Sequence, residues 1–235
     1  SVTHASNVTG NVQPVKEICR LAKQYGAISL IDGAQATGHF HVDVKDIGCD
    51  FYAFSAHKMM GPSGVGVLYM KRDMQSLLGF SRYGGGMVNM VTSDGISYHT
   101  GPAKFEAGTP NIEGVIGFGA ALDYISNVGV DYIHRHNRSL SDYFINHQNA
   151  YRNIIYPFPL ASDRIPVFTF RPKGNIDINY ISRILSDRYK IAVSTGYQCN
   201  QPLYRRKNID GAIRVSLHVY NNRSDVDVFF QAIEE

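Results

Sequence analysis

The sequence has few cysteines, no long hydrophobic run and only a small excess of positive charge. Three cysteines, an odd number, do not form a disulfide framework and fit a reducing compartment, either the cytoplasm or an organelle matrix. No run approaches ~18 consecutive apolar residues, so we expect no transmembrane helix and no membrane partner. A formal net charge of +3 is too small, and too evenly spread, to indicate a nucleic-acid ligand.

The composition is that of a folded protein. Hydrophobic residues make up 44% of the 235 residues and charged residues 18%, which excludes a disordered chain. The length fits one large domain or one and a half ordinary ones. Residues 1–7 have no basic end followed by an apolar stretch, so they are not a secretory signal.

The first half of the chain alternates short apolar runs with amphipathic stretches, which predicts βα units around a mostly parallel sheet. The pattern predicts a helix over 14–25 and strands over 27–31 and 51–55. A third strand over 65–70 should run antiparallel to the second, because the link is too short for a helical crossover.

The second half predicts a smaller α/β unit. Residues 79–109 are glycine-rich and predicted to be irregular, and a helical region over 111–147 is broken near Gly129. We expect a large domain over 1–127 and a small one over 128–235. The elements predicted for the small domain are strands 167–170 and 213–217, helices 178–189 and from about 224, and a loop over 194–202.

Two polar clusters follow predicted strands, which is where ligands bind in open α/β sheets. In residues 32–35 (Asp-Gly-Ala-Gln), the aspartate either caps a following helix or serves a ligand. In residues 55–58 (Ser-Ala-His-Lys), the lysine is either a solvated surface residue or a partly desolvated amine. Desolvation lowers the pKa of an amine and makes it a Schiff-base nucleophile.

The two clusters together suit pyridoxal phosphate. This cofactor needs a lysine for its aldehyde and an acid that keeps its pyridine nitrogen protonated, so that the ring acts as an electron sink. Lys58 supplies the amine and Asp32 the acid. Gln35 is a candidate donor to the phenolic oxygen of the ring, and Ser55 and His57 are candidate phosphate ligands.

Further motifs follow along the chain. They are Gly-Pro-x-Gly-x-Gly at 61–66, Arg-Tyr-Gly-Gly-Gly at 82–86, Phe-Glu-Ala-Gly-Thr-Pro-Asn at 105–111, Thr-Gly-x-x-Cys-x-x-Pro at 195–202, Ile-Arg-Val-Ser-Leu at 213–217 and Tyr-Asn at 220–221. In this order, the motifs resemble the class V aminotransferase family of fold-type I pyridoxal phosphate enzymes, and within it the SUF-type (group II) cysteine desulfurases. The resemblance covers essentially the whole chain.

The resemblance implies a fold and a set of cofactor ligands. The fold would be a three-layer pyridoxal phosphate-dependent transferase, truncated at its N-terminus, with a mostly parallel sheet and a smaller C-terminal α/β domain. Lys58 would hold the cofactor as a Schiff base, Asp32 and Gln35 would bind its ring, and Ser55 and His57 its phosphate. Gly108 and Thr109 would reach the phosphate of the neighbouring subunit in a homodimer.

The resemblance also implies the substrate contacts. Asn7 matches an asparagine near cofactor and substrate, and Arg214 matches the arginine that binds the substrate carboxylate. Cys199 matches the sulfur-accepting nucleophile. The implied reaction moves sulfur from L-cysteine to Cys199 as a persulfide and releases L-alanine. A sulfur-acceptor protein of iron–sulfur cluster assembly would then receive the sulfur, and no metal site is implied.

Cys19 and Cys49 receive a different interpretation from Cys199. As a lone cysteine, Cys199 would be a buried hydrophobe, but its polar loop favours an accessible thiol. Cys19 lies on the apolar face of a predicted helix and Cys49 directly before a strand, so both are expected to be buried hydrophobes.

The sequence departs from the family pattern in two places. Ser194 stands where an arginine usually makes a second contact to the substrate carboxylate, so cysteine binding should be weaker or the substrate different. Tyr197 and Gln198 replace histidines that often precede the nucleophile and help to lower the thiol pKa.

Alternatives to a desulfurase therefore stay open. The first is another class V reaction, by a selenocysteine lyase, an aminotransferase or an epimerase. The second is a catalytically incompetent truncated homologue that serves as an interaction module. The chain also lacks the N-terminal phosphate loop and ring-stacking residue of family members, so we expect it to be a C-terminal portion with exposed sheet edges.

Overall fold

The computed structural model describes residues 1–148, 153–174 and 176–235, and these residues pack as two compact units. The first unit comprises Ser1–Thr3, Pro14–Gly38 and Val42–Asn127. The second comprises His4–Gln13, His39–His41 and Val128–Glu235. Two short segments from early in the chain therefore pack with the carboxyl-terminal half.

The first unit contains a four-stranded sheet in the order β1-β2-β3-β4. Its strands are β1 (Val2–Thr3), β2 (Leu30–Asp32), β3 (Phe51–Ser55) and β4 (Gly66–Met70). The first three strands are parallel, and β4 pairs antiparallel with β3, as predicted. The strand predicted over 27–31 was placed too early: residues 27–29 are outside it, and parallel pairing with β3 begins at Leu30.

Helix α1 (Val15–Gln24) confirms the helix predicted over 14–25. It is followed by β2 and a short helix, α2 (Val44–Ile47). Six buried side chains of the unit form a hydrophobic cluster between α1, α2 and the sheet: Val15, Cys19, Ile31, Ile47, Cys49 and Tyr52. This cluster fixes the position of β2 and β3, and so the position of the polar residues that follow them.

The segment predicted to be irregular over 79–109 is more ordered than its composition indicates. After α3 (Met74–Leu77) it contains an antiparallel hairpin of β5 (Val88–Thr92) and β6 (Gly95–Tyr98), and then a 3₁₀ turn over Gly101–Lys104. The helical region that follows is broken as predicted. Gly129 has a φ of 89° and separates α4 (Ile112–Val128) from α5 (Val130–Gln148).

The second unit contains a four-stranded sheet in the order β7-β8-β10-β9, with every pairing antiparallel. Helix α6 confirms the prediction over 178–189, and the strands predicted near 167 and 213 are present. The elements are β7 (Ile154–Ile155), β8 (Val167–Pro172), α6 (Ile178–Tyr189), β9 (Ser194–Gly196), α7 (Gln201–Arg206), β10 (Ala212–Ser216) and α8 (Arg223–Glu234).

Five phenylalanines belong to the main core cluster of the second unit. Phe144 of α5 stacks on Phe168 of β8 with ring centroids 3.9 Å apart, and Phe229 and Phe230 of α8 cover the same cluster. Stacked rings of this kind bury large apolar areas, so α5 and α8 are firmly attached to the sheet. Within the described ranges, no helix has the length and apolar character needed to cross a membrane.

Candidate active site

The predicted cofactor ligands of the first unit lie at one edge of its sheet. Strands β2 and β3 are parallel, and Asp32 at the end of β2 is in register with Ala53 of β3. The amide of Gly33 donates a hydrogen bond to the Ala53 carbonyl over 2.8 Å. Because parallel strands end at the same edge, Asp32 and the residues that follow β3 lie on the same side of the sheet.

A tight turn follows β3 and carries His57 and Lys58. Residues Ala56–Lys58 form a 3₁₀ turn, and the Ala56 carbonyl accepts hydrogen bonds from the amides of Met59 and Gly61 over 2.8 and 2.9 Å. The alanine is buried, whereas His57 and Lys58 are exposed. Of the two interpretations of Lys58, the structure supports the solvated lysine, because the turn directs only its first residue into the interior.

Asp32 makes one local contact and remains exposed. Its Oδ1 accepts a hydrogen bond from the Ala34 amide over 3.0 Å. The residues that follow form turns rather than an α-helix, so the alternative interpretation of Asp32 as a helix cap is wrong. A carboxylate accepts several hydrogen bonds, which leaves Asp32 able to bind a protonated ring nitrogen.

Gly33, between Asp32 and Gln35, is required by close packing. A Cβ atom at this position would lie 2.0 Å from the ring of Tyr52, which is fully buried in β3. No side chain fits there without moving the tyrosine. The ring of Tyr52 therefore fixes the backbone between Asp32 and Gln35, whose side chain is half-buried.

Gly108 and Thr109 lie in an exposed loop of the first unit, between the second 3₁₀ turn and α4. The amide of Gly108 donates to the Gly85 carbonyl over 2.8 Å, and its φ of 84° suits glycine. This contact joins two of the glycine-containing motifs. Binding of a neighbouring subunit's phosphate by these residues stays a prediction.

The predicted substrate ligands lie in the second unit, around Arg214. Arg214 in β10 is in register with Ser194 in β9, and its Nη2 donates to the Ser194 hydroxyl over 3.3 Å. Its Nη1 donates to the backbone carbonyl of Asn7 over 3.0 Å. Burial lowers the pKa of Arg214, and the neighbouring Tyr204 hydroxyl and Cys199 thiol act in the opposite direction. The guanidinium and the thiol thus interact electrostatically.

Cys199 differs from the other two cysteines in its exposure. It is exposed in the loop between β9 and α7, as its polar surroundings predict. Cys19 and Cys49 are buried in the first unit, and burial raises the pKa of the Cys49 thiol to about 11 and also raises that of Cys19. Both buried thiols are therefore poor nucleophiles near neutral pH.

Sequence reasoning gave no supporting role to Gln198 or Tyr204. Both support the loop between β9 and α7 that carries Cys199, here called the thiol loop. The Tyr204 hydroxyl donates a hydrogen bond to Gln198 Oε1, and Gln198 Nε2 donates to the Ala212 carbonyl over 3.2 Å. Asn7 Nδ2 donates to the Gln198 carbonyl over 2.7 Å. No local signal in the sequence reveals the Asn7 contact, because Asn7 and Gln198 are 191 positions apart.

The structure thus brings the predicted residues together in two groups, one in each unit. The first-unit group is Asp32, Gln35, Ser55, His57 and Lys58, and the second-unit group is Asn7, Ser194, Cys199 and Arg214. In the described part of the chain, no cluster of three or more His, Cys, Asp or Glu side chains is suited to a metal ion.

The donor set of the first-unit group fits pyridoxal phosphate. An exposed amine suits an aldehyde, an exposed carboxylate suits a protonated pyridine nitrogen, and a hydroxyl beside an imidazole suits a phosphate. A mostly parallel sheet that presents these groups at its strand ends is the arrangement expected of a pyridoxal phosphate-dependent transferase. The fit depends on the chemical types of the side chains and on their position at one edge of the sheet of the first unit.

Comparison with known proteins identifies the family. Residues 1–229 match the model of the Aminotransferase class-V family, and the chain belongs to that family. A probable cysteine desulfurase of Halalkalibacterium halodurans is 37% identical over 235 residues, which cover 100% of this chain and 57% of the relative. A cysteine desulfurase of Pectobacterium atrosepticum is 40% identical over 228 residues, covering 97% of this chain and 55% of the relative.

The solved structures agree with this assignment. The apo structure of a cysteine desulfurase from Thermococcus onnurineus NA1 superposes with a TM-score of 0.93 at 35% identity, covering 99% of this chain and 58% of that one. The predicted fold class is thereby confirmed. The chain spans little more than half the length of the relatives it matches.

Proposed function

We propose that the protein is a pyridoxal phosphate-dependent cysteine desulfurase that transfers sulfur from L-cysteine to Cys199 and releases L-alanine. The observation that carries this proposal is the second-unit group, in which an exposed thiol lies near a half-buried guanidinium. A guanidinium suits the substrate carboxylate, and an accessible thiol suits attack on the substrate sulfur. The desulfurases among the relatives support the same reaction.

Each residue of the first-unit group would bind one part of the cofactor. Lys58 would hold its aldehyde and Asp32 would keep its pyridine nitrogen protonated, while Gln35 would donate to the phenolic oxygen. Ser55 and His57 would bind the phosphate. When bound, pyridoxal phosphate supplies an electron sink that stabilises negative charge at the α-carbon of the substrate.

The second-unit residues would handle the sulfur. Arg214 holds the substrate carboxylate, and the Cys199 thiolate attacks the substrate sulfur. The new S–S bond forms as the C–S bond breaks, with the bonding pair left on the β-carbon, which takes up a proton. Overall, L-cysteine and the Cys199 thiol give L-alanine and a Cys199 persulfide, so atoms and electrons balance.

The biological setting of the proposed reaction follows from the family resemblance. Gly108 and Thr109 would complete the phosphate site of a partner subunit in a homodimer. The persulfide would pass to a sulfur-acceptor protein for iron–sulfur cluster assembly, in the cytoplasm or in a reducing organelle matrix. The free thiol of Cys199 needs such a compartment.

One observation favours a second candidate function. Ser194 supplies a neutral hydroxyl beside Arg214 where an arginine is expected, so the carboxylate site has one positive charge fewer. A different class V reaction, on selenocysteine or by transamination or epimerisation, is the corresponding alternative. An interaction module without catalysis is the third, and it would bind no pyridoxal phosphate at Lys58.

The experiment measures alanine released from L-cysteine by the protein supplied with pyridoxal phosphate and a thiol reductant. We expect release by the unaltered protein and by Cys19→Ser, whose thiol is buried. Lys58→Ala should release none and should lose the visible absorbance of bound cofactor. Cofactor binding without alanine release would favour another class V reaction, and absence of both would favour the interaction module.

A further inference from the structure

Residues 198 and 199 adopt a backbone conformation that their side chains disfavour. Gln198 has a φ of 45° and Cys199 a φ of 59°, both in the left-handed region. Residues other than glycine occupy this region rarely, and two in succession are rarer still. Such a conformation persists only where surrounding contacts determine it.

The Asn200 amide donates to the Tyr197 carbonyl over 2.9 Å and closes a tight turn over residues 198 and 199. Three further contacts hold Gln198 in this turn. Its carbonyl accepts from Asn7 Nδ2 over 2.7 Å, its Nε2 donates to the Ala212 carbonyl over 3.2 Å, and its Oε1 accepts from the Tyr204 hydroxyl. Tyr204 and Ala212 are fully buried, so the side-chain amide is held by the interior of the second unit. A glutamine suits this place, because its amide both donates and accepts.

The same contacts connect the thiol loop with the guanidinium. Asn7 donates to Gln198 through its side chain and accepts from Arg214 Nη1 through its carbonyl, over 3.0 Å. Arg214 is a neighbour of Ala212 in β10, whose carbonyl accepts from Gln198. The position of the Cys199 backbone is therefore set relative to Arg214 by two separate connections.

We propose that Gln198 is a positioning residue that holds the Cys199 thiol beside the Arg214 guanidinium. Its importance for catalysis rests on the proposed function, because a thiol that attacks the substrate sulfur must lie at a fixed distance from the group that binds the substrate carboxylate. Small displacements of a reacting group lower rates strongly. The histidine expected before the nucleophile is thus replaced by a residue that orients the thiol and transfers no proton.

The test compares alkylation of Cys199 by iodoacetate and by iodoacetamide, with the modified residue identified by peptide mass spectrometry. Iodoacetate carries a carboxylate that a nearby guanidinium attracts, whereas iodoacetamide is neutral. The ratio of the two rates therefore measures how close the thiol lies to Arg214. We expect Arg214→Gln to lower this ratio roughly five-fold, as for two charges in contact near water.

Gln198→Met keeps the length of the side chain and removes its hydrogen bonds. We expect it to lower the rate ratio nearly to the Arg214→Gln value, and Tyr204→Phe to lower it part of the way. The matched control is Tyr197→Phe in the same loop. It removes a hydroxyl that donates a hydrogen bond to Asp210 and leaves the Gln198 contacts intact. Its ratio should equal that of the unaltered protein.

Two results would overturn the proposal. The first is that Gln198→Met has the same rate ratio as the unaltered protein. If Gln198→Met does not fold, the same result in Tyr204→Phe would overturn the proposal. The other is a ratio in the unaltered protein no higher than in Arg214→Gln. Alkylation requires neither cofactor nor L-cysteine, so failure of the proposed function would appear in alanine release while the ratios stayed as expected.

Discussion

The Arg214 guanidinium donates a hydrogen bond from Nη2 to the hydroxyl of Ser194 over 3.3 Å, across the β9–β10 pairing that sets the two residues in register. Its Nη1 donates to the Asn7 carbonyl, and its Nε is buried without a hydrogen-bond partner in the described part of the chain. Both acceptors are neutral. Nη2 carries two N–H donors, so one of them remains for an incoming carboxylate, but the serine adds no positive charge to the site.

Replacing Ser194 by arginine should tighten the binding of L-cysteine. A second bidentate contact to a partly shielded carboxylate contributes on the order of 1.5–3 kcal/mol, or roughly ten- to a hundred-fold in affinity. Without a carboxylate, two neighbouring guanidinium groups repel each other, so the free protein should be less stable. A titration of L-cysteine against the cofactor spectrum measures the affinity, and thermal unfolding measures the stability.

Ser194→Met is the matched control, because it adds length without charge. It should leave the affinity for L-cysteine unchanged or reduce it. An arginine variant that binds L-cysteine no more tightly than the unaltered protein would mean that cysteine is not the natural substrate. Selenocysteine, transamination and epimerisation would then be the reactions to examine.

Gly33→Ala should destabilise the first unit. The added Cβ would lie 2.0 to 2.3 Å from three atoms of the Tyr52 side chain, which is fully buried and has no room to move. Overpacking of this kind costs about 1–3 kcal/mol in the free energy of unfolding. Gly79→Ala is the control, since nothing lies within 4 Å of a Cβ at that position. Equal unfolding midpoints in urea for the two variants would contradict this account of Gly33.

His39 should make the protein sensitive to acid. Burial lowers its pKa to about 3, and the His218 ring, with its centroid 4.6 Å away, acts in the same direction. Nδ1 of His39 lies 3.0 Å from Asn137 Nδ2, which fits a neutral ring that accepts from the amide. The folded pKa of His39 lies below the ordinary value. The contribution of the neutral ring to the free energy of unfolding is therefore present above about pH 6.5 and is lost as the pH falls.

Titration of His39 should lower the free energy of unfolding by at most about 1.4 kcal/mol per pH unit below pH 6.5. His39→Gln keeps an acceptor for Asn137 and does not titrate, so its free energy of unfolding should fall less between about pH 7 and pH 5. Burial also lowers the pKa of His4 to about 4, which leaves some acid sensitivity in the variant. His99→Gln, in an exposed loop, should behave as the unaltered protein. A His39→Gln variant with the full acid sensitivity would exclude His39 as its source.

Local sequence patterns predicted most of the elements that bury an apolar face. Helix α6 and strand β3 match their predicted limits, because hydrophobic spacing there agrees with the final packing. The strand before Asp32 was placed too early, since Ile28 is apolar yet exposed and only pairing with β3 decides where β2 begins. The β5–β6 hairpin was missed because the glycines around it resemble those of an irregular loop.

For the site as for the fold, the sequence predicted what depends on short motifs and missed what depends on contacts between distant residues. The candidate residues could be selected from short motifs, since a strand followed by a polar turn marks a ligand edge. The contacts of Asn7 could not, because they join the start of the chain to residues near its end. The short motifs also left the exposure of Lys58 open, since it depends on a 3₁₀ turn that buries only Ala56.

The central claim is that Cys199 accepts sulfur from L-cysteine, and mass spectrometry of the protein after reaction with sulfur-labelled L-cysteine tests it most directly. We predict one labelled sulfur atom on the peptide that contains Cys199, removable by dithiothreitol. Cys19→Ser should give the same result, whereas Cys199→Ala should keep its bound cofactor and gain no label. Labelled persulfide in Cys199→Ala, or alanine release without label on Cys199 in the unaltered protein, would contradict the account.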